Sequence, residues 1–200
     1  PKDATDKLFE VMGTEPKVMP QLHLPVQSGS TAILKAMNRH YTAEEYLRKV
    51  ESAKRLIPEL CITTDMIVGF PGETEEDFRQ TLDLVRQVEY DSMFTFIYSR
   101  RPGTKAAELP DNADREEIQN RFDRLVALAN EISERRHAEC VGRDFRVLID
   151  GCSPNTPGEL TARTEGGRLV HLMADPAFIG SYRDVHITGN NMYSLFGELK

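Results

Sequence analysis

Two short segments about forty residues apart constrain this chain more than any other feature. His23-Leu24-Pro25-Val26-Gln27-Ser28-Gly29-Ser30 and Ile67-Val68-Gly69-Phe70-Pro71-Gly72-Glu73-Thr74 are each an apolar run that stops at a small-residue turn and hands over to a helix pattern. A strand that ends in bare backbone and small polar side chains, then a helix, is the repeating unit of parallel α/β folds. There, ligands bind at the C-terminal ends of the strands. Two such turns in succession predict one pocket built from neighbouring strands.

The flanking pattern extends the α/β reading. Leu8, Phe9 and Met12 form the face of a short helix over Thr5–Met12, and Gln21–Gln27 reads as a strand. Ser30 caps a helix running to Met37, and Thr42 with Glu45 makes a capping box for a helix closed by Pro58. Cys61–Gly69 is a β-branched strand. Thr74, followed by three acids, opens a helix with Phe78, Leu82, Val85 and Val88 inward, and Ser92–Tyr98 is a third strand. Strand–helix–strand–helix–strand means parallel βα units, part of an α/β barrel. Arg101–Asp114 reads as a loop. Arg115–His137 is a long helix whose stripe of Ile118, Phe122, Leu125, Leu128 and Ile132 predicts packing on the sheet.

After Gly142 the texture changes to short alternating runs at Phe145–Asp150, Leu160–Arg163, Leu169–Met173, Asp184–Thr188 and Leu195–Leu199, separated by Gly, Pro and Asn turns. Five short strands in so little chain predict a small β-barrel. The expected division is 1–138 for the α/β part with its linking helix and 139–200 for the barrel.

Composition excludes some classes. The net charge of −7 argues against generic nucleic-acid binding by the chain as a whole. No apolar run is long enough for a membrane helix. Cys61, Cys140 and Cys152 are scattered, without Cys-x-x-Cys spacing. They predict no metal site made by this chain alone and read as buried, reduced thiols of a cytosolic protein. The opening Pro1-Lys2-Asp3 suggests a piece of a longer protein.

Candidate ligand-facing groups cluster at the two turns. Gly29, Gly69 and Gly72 leave room for a ligand at the backbone, or simply make tight βα connections. Glu73 reaches a ligand amine or hydroxyl, or is an exposed turn carboxylate. Asp65 and Thr64 face the inside of the barrel or satisfy local backbone. His23 reads as structural. Arg100 and Arg101 meet a carboxylate or phosphate, or are solvated. No catalytic triad or carboxylate pair can be argued from spacing.

These same residues resemble a known family. His23–Ser30, Thr64–Phe78 and Phe96–Thr104 are similar to the radical S-adenosylmethionine methylthiotransferases, and the resemblance runs from end to end. The His-Leu-Pro-Val-Gln-Ser-Gly-Ser run with Arg101-Pro102-Gly103-Thr104 looks most like the MiaB-type branch, which acts on isopentenylated adenosine beside the tRNA anticodon. The branch acting on threonylcarbamoyl-adenosine tends to have Cys where Ser30 stands, and the ribosomal-protein branch departs more from Gln27-Ser28-Gly29.

The resemblance implies the later strands of a radical SAM barrel followed by a TRAM domain, a small RNA-binding β-barrel. It implies S-adenosylmethionine as cofactor, held by Gln27, Ser28, Asp65, Gly69, Phe70, Gly72 and Glu73. It also implies two 4Fe-4S clusters whose cysteine ligands lie in an N-terminal portion not in this sequence, with an external reductant and tRNA as partners. In the intact family member, a radical generated from S-adenosylmethionine abstracts hydrogen from the adenine carbon and sulfur is inserted and methylated. The chain by itself is then inactive, or serves only as an RNA-binding module. RNA contacts are expected from Arg146, Arg163 and Arg168, with Arg143 in support and Phe145 or Phe196 as stacking groups. Over Glu139–Lys200 six Lys/Arg stand against eight Asp/Glu, a net of −2, so binding requires the arginines to gather on one face. Departures from the family pattern are Arg100 and Lys105, where Pro is frequent, and Ala162, where the TRAM pattern has Gly.

Overall fold

The computed structural model describes residues 1–110 and 114–200; of the loop expected over Arg101–Asp114, residues 111–113 lie outside the described part. The first half builds a three-stranded parallel sheet in the order β1 (Gln21–His23), β2 (Cys61–Val68), β3 (Ser92–Ile97). Helices α1 (Asp6–Thr14), α2 (Thr31–Ala36), α3 (Ala43–Leu56) and α4 (Glu75–Val88) precede or link the strands. Both long linking helices start as their sequences dictate. Thr42 with Glu45 and Thr74 with Asp77 form reciprocal capping boxes, each satisfying two amide donors that the first helical turn leaves unpaired.

One face of the sheet is covered. Ile62, Thr64, Met66 and Val68 of β2 are buried, and most of this face joins a core with Tyr46, Val50, Phe78 and Val85 from α3 and α4. The alternate residues, Thr63, Asp65 and Ile67, point to the opposite face, where in register sit Ser92, Phe94 and Phe96 of β3. That face is open: Phe94 is 58% exposed and Phe96 50%. The long helix α5 (Arg115–Ala138) buries Leu125 and Ile132 in the same core, beside β3 and α4.

The second half closes a five-stranded barrel from β4 (Asp144–Cys152), β5 (Glu159–Thr164), β6 (Leu169–Met173), β7 (Tyr182–Asn190) and β8 (Leu195–Leu199), in the order β4-β5-β6-β8-β7. Its own core includes Val147, Ile149, Leu160, Ala162, Val170 and Ile187. Bulges at Ile149/Gly151 and Ile187/Gly189 supply the bending that closure needs.

Two expectations change. The strand predicted over Gln21–Gln27 is regular for three residues only. Pro25 has no amide to donate, so the ladder breaks there and resumes as a single parallel bridge from Gln27 to Met66. Among the thiols, Cys61 and Cys140 are buried but Cys152, at the end of β4, is exposed.

The two halves meet at the N-terminal ends of the strands. Asp91, just before β3, is 6% exposed. It receives Arg168 from the barrel and lies 3.5 Å from Arg136 of α5, while its Oδ2 accepts from the Ile62 amide at 2.8 Å. Ser133 donates to the carbonyls of both Asp91 and Met192. The β5–β6 turn packs so tightly that a Cβ on Gly166 would sit 2.2 Å from the Cys61 sulfur, and one on Gly167 would sit 2.8 Å from the Gln21 amide group.

Candidate functional site

The first turn is held by side chains from three elements. Leu24 and Gln27 donate backbone bonds to Thr63 and Asp65, and Ile67 donates back to the Gln27 carbonyl at 2.9 Å. The buried Thr64 hydroxyl bridges the interruption, accepting from the Val26 amide at 3.0 Å and donating to the Leu24 carbonyl at 2.9 Å. Tyr41 and Tyr46 donate to the Val26 and Leu24 carbonyls. So clamped, Gln27 takes a φ of 77°, a region L-residues enter at a cost of roughly 1–2 kcal/mol. The strain sits at the C-terminal end of the strand, beside the second turn.

Beyond Gln27 the chain turns in against α4. Ser28 is fully buried; its hydroxyl accepts from the Ser30 amide at 3.2 Å and lies 3.4 Å from the Thr81 hydroxyl. The Gly29 amide donates to Thr81 at 2.9 Å, and a Cβ on Gly29 would meet the α4 backbone at 2.4 Å. Gly29 therefore permits close helix packing rather than ligand approach. Ser30 caps α2 and donates to Asp77 at 2.6 Å, which ties the starts of α2 and α4 together.

The second turn closes on a carboxylate. Glu73, expected to meet a ligand or solvent, is instead buried beneath the turn. It accepts from the Gly69 amide at 2.8 Å and from Arg121 of α5 at 3.2 Å, and Arg121 also donates to the Glu73 carbonyl at 3.0 Å. The side chains of Arg121 and Glu73 are 4% and 1% exposed. Burial pushes the Glu73 carboxyl above the ordinary range; the Gly69 amide and Arg121 pull against that shift. Arg121 further pairs with Glu117 and lies 3.5 Å from Glu75.

The three turn glycines differ. Gly69 has φ +71°, but the space where its side chain would project is filled by Ile118 at 2.7 Å. Gly72 has φ +87° and nothing within 4 Å, so there the backbone is open. Phe70 is buried, with its ring set edge-on to Tyr98 at 5.1 Å. On the open sheet face Asp65 lies 3.6 Å from His23, whose other ring nitrogen is 2.9 Å from the Thr63 hydroxyl. Of the predicted cofactor residues, the structure thus brings the Gln27 backbone, Asp65 and the Gly69–Gly72 turn to one end of the sheet. Ser28 and Glu73 are buried in protein contacts, Ser28 against Ser30 and Thr81 and Glu73 against Gly69 and Arg121. Arg121 was missed; a lone cation inside the apolar stripe of a long helix is its only sequence signal.

The predicted RNA contacts also divide. Arg146 lies over the Tyr182 ring at 4.7 Å, and Arg163 pairs with Asp150 at 3.2 Å. Both are exposed and line one groove of about 530 Å³ with Lys17, Leu148 and Tyr182. Arg168 is placed elsewhere, 12% exposed in the Asp91 pair at the seam. Arg143 pairs with Glu59 at 2.9 Å and covers the partly buried Phe145. Phe196 is 38% exposed beside His171. Arg100, a candidate cation, donates to the Ala107 and Leu109 carbonyls.

Cluster ligands are a separate matter. Among the described residues no group of three or more His, Cys, Asp or Glu is arranged to hold a metal ion. Burial pushes the Cys61 thiol up to about 12, which opposes the thiolate form that iron requires. These residues do not fit a cluster. None of the helices among the described residues is long and apolar enough to cross a membrane.

Comparisons place this geometry among known proteins. Residues 3–85 match the Radical SAM superfamily and residues 138–200 match the TRAM domain. A tRNA-2-methylthio-N(6)-dimethylallyladenosine synthase of Clostridium botulinum (strain Langeland) is 48% identical over 198 residues, which is 99% of this chain and 44% of that protein. Proteins of the same name from Thermoanaerobacter sp. (strain X514) and Caldicellulosiruptor saccharolyticus are also 48% identical, over all of this chain and 42% of theirs. The chain thus spans less than half the length of these curated relatives. Coproporphyrinogen III oxidase (HemN) from Escherichia coli, a radical SAM enzyme, shares the fold, with a TM-score of 0.56 at 16% identity, over 92% of this chain and 44% of that one.

Proposed function

Built from a Radical SAM superfamily segment and a TRAM domain, this chain is, we propose, the C-terminal portion of a tRNA methylthiotransferase acting on isopentenylated adenosine. One observation carries the reading: 48% identity to enzymes named for that reaction covers 198 residues, 99% of this chain, and so takes in both halves. The division we propose falls between residues 138 and 139, where α5 ends and the segment leading into the barrel begins.

In this reading the strand ends of β1 and β2 receive the nucleoside part of S-adenosylmethionine, which when bound supplies the radical. Two features of the strand ends suit that role. Gly72 leaves its backbone open, and Asp65 with His23 offers polar groups on the open face. The Glu73–Arg121 pair holds the turn to α5, so the main chain is fixed before any ligand arrives, which lowers the ordering cost of binding. Ser28 and Glu73 keep the turns in shape. The iron–sulfur cluster ligands belong to the rest of the enzyme, because these cysteines do not fit, and the reductant is an external partner. Arg146 and Arg163 supply phosphate contacts to tRNA, and Arg168 is withdrawn from that set.

The test is tRNA affinity of this chain across a salt series. Arg146→Ala with Arg163→Ala is expected to weaken binding and to reduce the salt slope by about 1.4–1.8 units for two lost phosphate contacts. Binding and slope equal to the wild type would overturn the RNA half of the reading. In the intact protein, nucleoside mass spectrometry of the tRNA product tests the methylthio transfer.

A further inference from the structure

The groove that holds Arg146 and Arg163 has a second wall, and it comes from the other domain. Pro16-Lys17-Val18-Met19-Pro20, between α1 and β1, lies across the groove from β4, β5 and β7. We infer that RNA seats in this interdomain groove, with Lys17 on the α1–β1 loop taking a backbone phosphate and Tyr182 on β7 stacking a nucleobase. This rests on the tRNA-binding reading above and adds to it residues outside the expected set.

Two observations support this occupant. The side-chain cations of Lys17 and Arg146 are exposed and pair with no carboxylate among the described residues, although Asp150 and Glu165 also line the groove, whereas Arg163, Arg143 and Arg168 are paired. Tyr182 is 53% exposed on the groove, with Arg146 over its ring, so a flat apolar surface and an unpaired cation stand together. That pairing suits a nucleotide, whose base stacks on the ring while its phosphate meets the guanidinium. A polyanionic peptide would use the cations but gains nothing from the ring.

The wall is also built to hold its place. Pro16 and Pro20 restrict the loop at both ends, the Val18 amide donates to the Glu15 carbonyl at 3.0 Å, and the Cys61 amide donates to the Pro20 carbonyl at 2.8 Å. Gln21, the next residue, is pressed against Gly167 of the β5–β6 turn. The loop and the barrel face therefore keep a fixed separation, and the groove exists before RNA arrives.

The experiment measures binding of a tRNA transcript to this chain over a salt series. Lys17→Ala is expected to lower the slope by about 0.7–0.9. Tyr182→Ala should weaken binding roughly 5- to 150-fold, the equivalent of one lost base stack, while Tyr182→Phe retains it. Both side chains are exposed, and unchanged thermal unfolding verifies that the variants fold; should Tyr182→Ala not fold, Lys17→Glu carries the test with a larger loss. If Lys17 and Tyr182 variants bind as wild type while Arg146→Ala with Arg163→Ala weakens binding, the second wall is refuted and the RNA reading stands. If none of the variants changes binding, both fail. If polyglutamate competes as well as RNA of equal charge, the site is an acidic-peptide surface and the inference is overturned.

Discussion

Replacing Arg121 by methionine tests whether the second turn is held from below by a buried charge pair. The substitution keeps volume and helix propensity but removes the cation that faces Glu73. Both side chains are almost wholly buried, at 4% and 1% exposure, so solvent screening gives little relief. Leaving one partner of such a pair uncompensated costs about 3–5 kcal/mol. In a chain of this length that lowers the melting temperature by roughly 6–20 °C.

The pH dependence gives a second handle. Burial raises the Glu73 carboxyl, so the folded state takes up its proton more readily than the unfolded state. The group's stabilising contribution is complete below the ordinary carboxylate range, near pH ~4.3, and is lost as pH rises through the raised folded value. Losing Arg121 raises it further, so the deficit of Arg121→Met should be greatest at neutral pH and shrink on acidification. Adding Glu73→Gln removes the stranded charge and keeps an acceptor for the Gly69 amide, so the double variant should recover most of the loss. Urea unfolding from pH 4.5 to 8 and hydrogen exchange at the Gly69 amide provide the assay. A loss under ~1 kcal/mol without pH dependence, or strict additivity of the two substitutions, would refute the clamp.

Other predictions follow from neighbouring geometry. Gly69→Val should destabilise through its collision with Ile118, with partial rescue by Ile118→Ala; the absence of rescue in thermal unfolding would remove Ile118 as the cause. Gly72→Ala, with open space around it, should cost only the left-handed backbone penalty of about 1–2 kcal/mol, and a larger loss would show an unseen contact. Arg168→Met removes one of two guanidinium partners of Asp91, Arg136 remaining 3.5 Å away, so it should cost less than the roughly 3–5 kcal/mol of a fully stranded buried charge, opening the seam to limited proteolysis while leaving the salt slope of tRNA binding unchanged. A fall of that slope by a full phosphate contact would return Arg168 to the RNA face. Cys152 should react with a thiol reagent in the native protein, whereas Cys61, raised to about 12, reacts only on unfolding; equal native rates for the two would contradict that burial.

Local sequence determined the elements, because their signals are local. The capping boxes at Thr42 and Thr74, the β-branched run of β2, the apolar stripe of α5 and the alternating runs after Gly142 act within a few residues of one another. They specify parallel βα units followed by a small barrel without reference to the rest of the chain. Pro25 already held the reason the first strand would break, since a missing amide is a property of one residue. The turn segments marked one end of the sheet, where the structure gathers the Gln27 backbone, Asp65 and the Gly69–Gly72 turn. What the sequence could not settle was which way each turn residue faces. Ser28 and Ser30 look alike in sequence, and only the approach of α4 sends one to Thr81 and the other to Asp77. Glu73 reads as an exposed acid until α5, forty-eight residues later, brings Arg121 to it. The same holds for the arginines of the barrel. Arg163 and Arg168 lie five residues apart, but the β5–β6 turn delivers one to a groove and the other to Asp91. These assignments depend on contacts between segments distant in sequence: within the first half for Ser28, Ser30 and Glu73, and across the seam between the halves for Arg168.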